Sequence, residues 1–113
     1  MSVAGQGGRE WARVRGVLGV QLIEQAAQQV KIAVTELRDM KNMRKITEAL
    51  VKINSIENQA DDIFDMSIEK LFDTEPDAKE VIKKREIYQV MEIVTDKCED
   101  ASNVIESIII KYA

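Results

Sequence analysis

The 113-residue sequence has no histidine, a single cysteine and a single proline. Without histidine there can be no Ser-His-Asp triad, no Cys-His pair, no His-ligated zinc and no Glu-x-x-His ligand of a di-iron bundle. No nucleophile–base pair is visible either, and the sequence reads as a non-enzyme. The lone Cys98 excludes an intrachain disulfide and suits a reducing compartment. Five glycines, four of them before position 17, and one Pro76 are too few for a turn-rich β-sandwich or barrel. No apolar run approaches the roughly 18 residues needed to span a bilayer, so the expectation is a soluble or peripheral protein.

What is present favours long helices. Apolar residues at 45% suffice for one core, and charged residues at 32% imply a heavily solvated surface. The length suits one domain. The net charge of −4 hides an asymmetry: residues 1–45 carry +4 and residues 46–113 carry −8. An acidic half of that size argues against nucleic acid as a ligand, because phosphate binding needs a basic surface.

Residues 1–17 read as a disordered or weakly helical lead, Gly-rich at first and interrupted by Gly16 near its end. Trp11, Val14, Leu18, Leu22 and Ile23 open a possible stripe, with Gly16 and Gly19 weakening its first turns. From Val20 onward Ile23, Ala26, Ala27, Val30, Val34 and Leu37 recur at helical steps, which predicts a helix over about 18–39. Asp39 to Asn42 is the break, and Asn42 a cap for the second helix. Ile46, Leu50, Ile53, Ala60, Phe64, Ser67 and Leu71 then form one stripe, predicting a helix over about 42–72. Pro76 ends it. Asp77 restarts helix, with Glu80 placed for a capping box. Ile87, Val90, Met91, Val94, Cys98, Ala101, Ile105, Ile108 and Tyr112 make the third stripe, over about 77–112. The expected fold is all-α, an antiparallel three-helix bundle over residues 18–113.

Two carboxylate ladders stand out. Glu57, Asp61 and Asp65 are spaced by four in the second helix, and Glu92, Asp96 and Asp100 repeat that spacing in the third. Residues four apart lie above one another on a helix, so like charges there repel by a few tenths of a kcal/mol per pair. A cation between them reverses the sign. Carboxylates without His or a Cys pair select hard cations such as Mg²⁺, Ca²⁺, Mn²⁺ or iron. At 100° per residue Glu57 lies about 40° from Ile53 and Asp61 about 80°, while Glu92 and Asp96 lie almost opposite Val94. A site joining both ladders must therefore sit on the bundle surface. Read without a metal, the same ladders are solvated faces of a structural helical-bundle adaptor that makes protein–protein contacts.

The stretch Ile56-Glu57-Asn58-Gln59-Ala60-Asp61-Asp62 leading to Glu69-Lys70-Leu71-Phe72 resembles the PhoU-like superfamily. So does Ile82-Lys83-Lys84-Arg85-Glu86-Ile87-Tyr88 with the later run from Glu92 to Ala101. The nearest branch is the accessory proteins of Pit-type inorganic phosphate transporters, and the likeness covers about residues 20–113. The resemblance implies helical repeats whose Glu/Asp-x-x-x-Asp motifs bind divalent metal or an iron cluster. It also implies a regulatory role beside a phosphate transporter at the cytoplasmic membrane face. Carried over, Glu57 and Asp61 match the first motif and Glu92 and Asp96 the second, with Asp65 and Asp100 as extensions. That family normally carries two repeats and this chain one, most like the C-terminal repeat. It reads as a fragment, a minimal one-repeat form or a chain that dimerises to rebuild the pair, and a homo-oligomer is the expectation.

Other features read more plainly. Lys83-Lys84-Arg85 is taken as a solvated helix face, and Cys98 as core rather than reactive. The methionines at 40, 43, 66 and 91 are expected to pack. Arg9, Arg13 and Arg15 beside Trp11 resemble the start of an interfacial helix.

Overall fold

A computed structural model describes the backbone of residues 3–112 and the side chains of residues 13 and 15–112. Three helices run up, down and up: α1 (Val3–Asp39), α2 (Met43–Thr74) and α3 (Ala78–Tyr112). Each boundary has a local cause. After Asp39 the chain leaves the helix through Met40 at φ 54, whose N–H still donates to the Glu36 carbonyl at 3.0 Å. A left-handed residue here closes the last turn. Asn42 then accepts from the Lys45 N–H at 3.1 Å, satisfying one of the donors that the first turn of α2 leaves free.

Glu75 is extended, at φ −88 and ψ 115, as expected of the residue ahead of Pro76. Asp77 caps α3 by accepting from the Lys79 N–H at 2.9 Å. The expected capping box is only half made. The Asp77 N–H donates to Glu75 Oε1 at 3.3 Å, while Glu80 lies beside Lys83 and Lys84 instead. Lys84 also reaches the buried Glu75 at 3.4 Å, so one member of the basic run latches the turn rather than facing solvent.

α1 runs from Val3, through the stretch read as a disordered or weakly helical lead, where the periodicity placed a start near residue 18. Met1 and Ser2, and the side chains of Arg9 and Trp11, lie outside the described residues. The glycines that suggested a weak start have a packing role. Gly19 is buried, and a Cβ there would come within 2.5 Å of Phe64 Cε1 and 2.9 Å of the Met91 methyl. Its missing side chain is the space the Phe64 ring occupies.

The bundle is a rod of 60 × 17 × 16 Å with a radius of gyration of 17.5 Å. A compact chain of this length would have about 13 Å. α1 against α2 is the most extensive contact and α1 against α3 the thinnest. The core divides into two clusters along the rod. One joins Leu22, Ala26, Ile56, Ala60, Phe64 and Tyr88, the other Ala33, Ile46, Ala49, Leu50, Ile53 and Ile105. Cys98 packs against both, as expected of a core thiol, and burial pushes its pKa up. Met43 and Met91 pack as expected, but Met40 and Met66 are exposed. No helix among the described residues is long and apolar enough to cross a membrane.

Every residue of the stripe read for α2 is buried, with Ala49 and Ile56 beside it. The stripes of α1 and α3 need correcting. Tyr88, Thr95 and Ser102 are buried where Ile87, Val94 and Ala101 were expected, while Met91, Cys98 and Ile105 keep their places. Val90 and Tyr112 are also exposed. On α1, Leu22 and Ala33 are buried while Val34 and Ala27 are exposed. The inward residues of α3, Tyr88, Met91, Thr95, Cys98, Ser102 and Ile105, succeed one another at alternating steps of three and four, the seam that packs between neighbouring helices. Thr95 satisfies its hydroxyl by donating to the Glu92 carbonyl at 2.8 Å.

Candidate metal centre

Turning Thr95 inward places its neighbours Glu92, Asp96 and Glu99 along the α2 side of α3. Across from them, Glu57 and Asp61 flank the buried Ile56 and Ala60. Glu57, Asp61 and Asp96 each offer a carboxylate oxygen, and these oxygens lie within 4.8 Å of one another. Glu57 and Asp61 are half-buried and Asp96 is exposed, so the cleft is open on one side. A shallow depression of about 390 Å³ lined by Asp96, Glu99 and Asp100 adjoins it on α3.

Such crowding has electrostatic consequences. The Glu57 pKa is raised from 4.5 to about 8, first by its hydrogen bond with Asp61, then by burial, then by Glu99. The crowding thus favours the protonated form of Glu57 near neutral pH. Glu92 is pushed up as well, by burial first and then by Asp65, Asp61 and Asp96. Asp61 Oδ1 is buried without a hydrogen-bond partner. An acceptor so placed, among carboxylates that hold a proton for want of positive charge, fits a hard cation by its donor set.

The six carboxylates singled out in the sequence fare differently. Glu57, Asp61 and Asp96 converge. Glu92 and Asp65 face one another at the edge of the cluster, close enough to repel. Asp100 is exposed and lies 3.8 Å from Lys97 on its own helix, so it is not brought into the cluster. Glu99 was missed, yet it lies near Glu57 and helps to push the Glu57 pKa up. Its spacing of three from Asp96 and seven from Glu92 places it on their face and was the available signal.

One consequence is a pH dependence of the metal-free bundle. Glu57 has a higher pKa folded than unfolded, so its contribution to stability is complete below about 4.5 and is lost as pH rises through about 8. In chelator, the urea midpoint is expected to be lower at pH 8.5 than at pH 5.5, and Glu57→Gln should flatten the difference. A midpoint that rises over this interval in the wild type would contradict the arrangement.

Fold and cleft together define an all-α bundle carrying a two-helix carboxylate cluster. The sequence is similar to the UPF0111 protein YkaA of Bacillus subtilis (strain 168), with 33% identity over 91 residues. The alignment takes in 80% of this chain and 44% of that protein, so the chain spans less than half the length of the curated relative it matches. No family model matches the sequence. No solved structure matches it either.

Proposed function

We propose that this chain is a PhoU-like regulatory or accessory protein of inorganic phosphate transport that holds a hard cation, divalent metal or an iron cluster, in the cleft between α2 and α3. The observation that carries the metal reading is the convergence of Glu57, Asp61 and Asp96 from two helices within 4.8 Å. Three oxygens at that separation can share one ion, with water, phosphate or Glu99 completing the shell. The transport role rests on the resemblance of the segments around Glu57–Asp61 and Glu92–Asp96 to that superfamily. Its partner is then a phosphate transporter at the cytoplasmic membrane face. The chain acts by binding rather than by catalysis.

The test is metal analysis of protein purified without chelator, beside Mn²⁺ titration calorimetry of the stripped protein. Asp61→Asn with Asp96→Asn should abolish both bound metal and Mn²⁺ heat while leaving helicity unchanged. The stability in chelator should stay within about 0.5 kcal/mol or rise slightly, since like-charge repulsion is relieved. Mn²⁺ should also bind more tightly at pH 8.5 than at pH 6, because an ion must displace the Glu57 proton. Unchanged metal content in the double variant would remove the assignment. Phosphate uptake in cells carrying the double variant should match uptake in cells lacking the chain. A second reading, a helical adaptor without metal, is favoured by the apolar face between α1 and α3. Wild-type protein that neither carries nor takes up metal would leave that reading standing.

A further inference from the structure

The thinnest seam of the bundle, between α1 and α3, opens outward as a groove of about 830 Å³ whose α1 wall is Arg13, Gly16, Val17, Val20, Gln21 and Glu24. Val17 is 54% exposed and Val20 48%, unusual for side chains on a seam between helices. This wall reads the same in both directions. Charged, apolar, apolar and charged residues succeed one another at steps of four, three and four, with opposite charges at the two ends. Among the described residues neither Arg13 nor Glu24 has an ion-pair partner within the chain.

α3 repeats the symmetry at the same level. α1 and α3 run parallel, with Gly16 beside Tyr88 and Gly19 beside Met91. The midpoint of the α1 pattern, between residues 18 and 19, is therefore level with the step from Val90 to Met91. Exposed Val90 lies there, and exposed Ile87 and Val94 lie about one helical turn to either side. Lys84, at one end of the groove, is already committed to Glu75.

We infer that this face takes a second copy of the chain, with the two α1 helices antiparallel about a two-fold axis near residues 18 and 19. Antiparallel pairing sets Arg13 of each copy against Glu24 of the other and interleaves Val17 with Val20. The α3 rows of Ile87, Val90 and Val94 close over the outside of the pair. A two-fold contact must be complementary to itself, and a pattern that reverses into its own opposite charges meets that condition. The inference is independent of the acidic cleft, which lies on the α2–α3 side of the rod.

Sedimentation equilibrium or light scattering of the whole chain tests it. The wild type is expected at twice 12.8 kDa at micromolar concentration. Arg13→Glu alone and Glu24→Arg alone each place like charges together and should weaken the dimer at least about tenfold in dissociation constant. The double variant R13E/E24R restores opposite charges and should recover wild-type affinity to within about twofold. Both residues lie on the surface, and circular dichroism of each variant verifies that the bundle is folded. A monomer mass for the wild type throughout the micromolar range overturns the inference. So does a dimer indifferent to single reversals, or a double variant no tighter than either single one.

Discussion

Phe64→Ala is expected to cost about 3–5 kcal/mol of folding stability, a large part of what a domain of this size has. Phe64 is wholly buried about two-thirds of the way along α2, its ring 6.3 Å from that of Tyr88 on α3 and against the bare backbone of Gly19 on α1. All three helices meet on this ring. Deleting it opens a cavity that a rod only 16–17 Å thick has little further material to fill. Glu69→Ala, on the exposed face of the same helix, should cost well under about 1 kcal/mol. Urea midpoints at unchanged m-value measure both. Equal, small shifts would contradict the packing described for α2.

The two internal glycines of α1 should respond to alanine with opposite signs. An Ala side chain favours a helix interior by about 1 kcal/mol over Gly. At Gly16 the added Cβ would meet Tyr88 no closer than 3.9 Å, ordinary contact, so Gly16→Ala should stabilise by up to about that amount. At Gly19 the same atom would enter the Phe64 ring. The Met91 methyl can swing aside, but the fully enclosed ring has nowhere to go. Overpacking of that kind costs about 1–3 kcal/mol, which outweighs the helix gain. Gly19→Ala should therefore lower the melting temperature while Gly16→Ala raises it. Matching increases for both would show that the ring and the α1 backbone are farther apart than described.

Gly19 also marks where periodicity stops being informative. Read as a number on a helix-propensity scale it weakens α1, and its use becomes visible only with Phe64 beside it. Periodicity served α2 well because the apolar residues of its stripe are confined to one face and every one of them is needed. α3 has more apolar residues than inward positions, so hydropathy alone cannot choose between Val94 and Thr95. The neighbouring helices decide, by seating the continuous row Tyr88, Met91, Thr95, Cys98, Ser102 and Ile105. The cleft obeys the same rule. The four-residue ladders put Glu57, Asp61 and Asp96 among the candidates, but the rotation of α3 about Thr95 decides which carboxylates meet. That rotation is a tertiary fact. It admits Glu99 and leaves Asp100 with Lys97.

The division of the core into two clusters carries a mechanical consequence. Ile53 belongs to one cluster and Ile56 to the other, with Cys98 of α3 touching both. Glu57 and Glu99 come directly after Ile56 and Cys98 in the chain, so the acidic cleft straddles the waist of the rod. Repulsion there loosens the splice between two separately packed halves, and neutralising it tightens the splice. Amide exchange near residues 53–60 and 95–102 should therefore report the charge state of the cleft, while each cluster's far end keeps its own rate of opening.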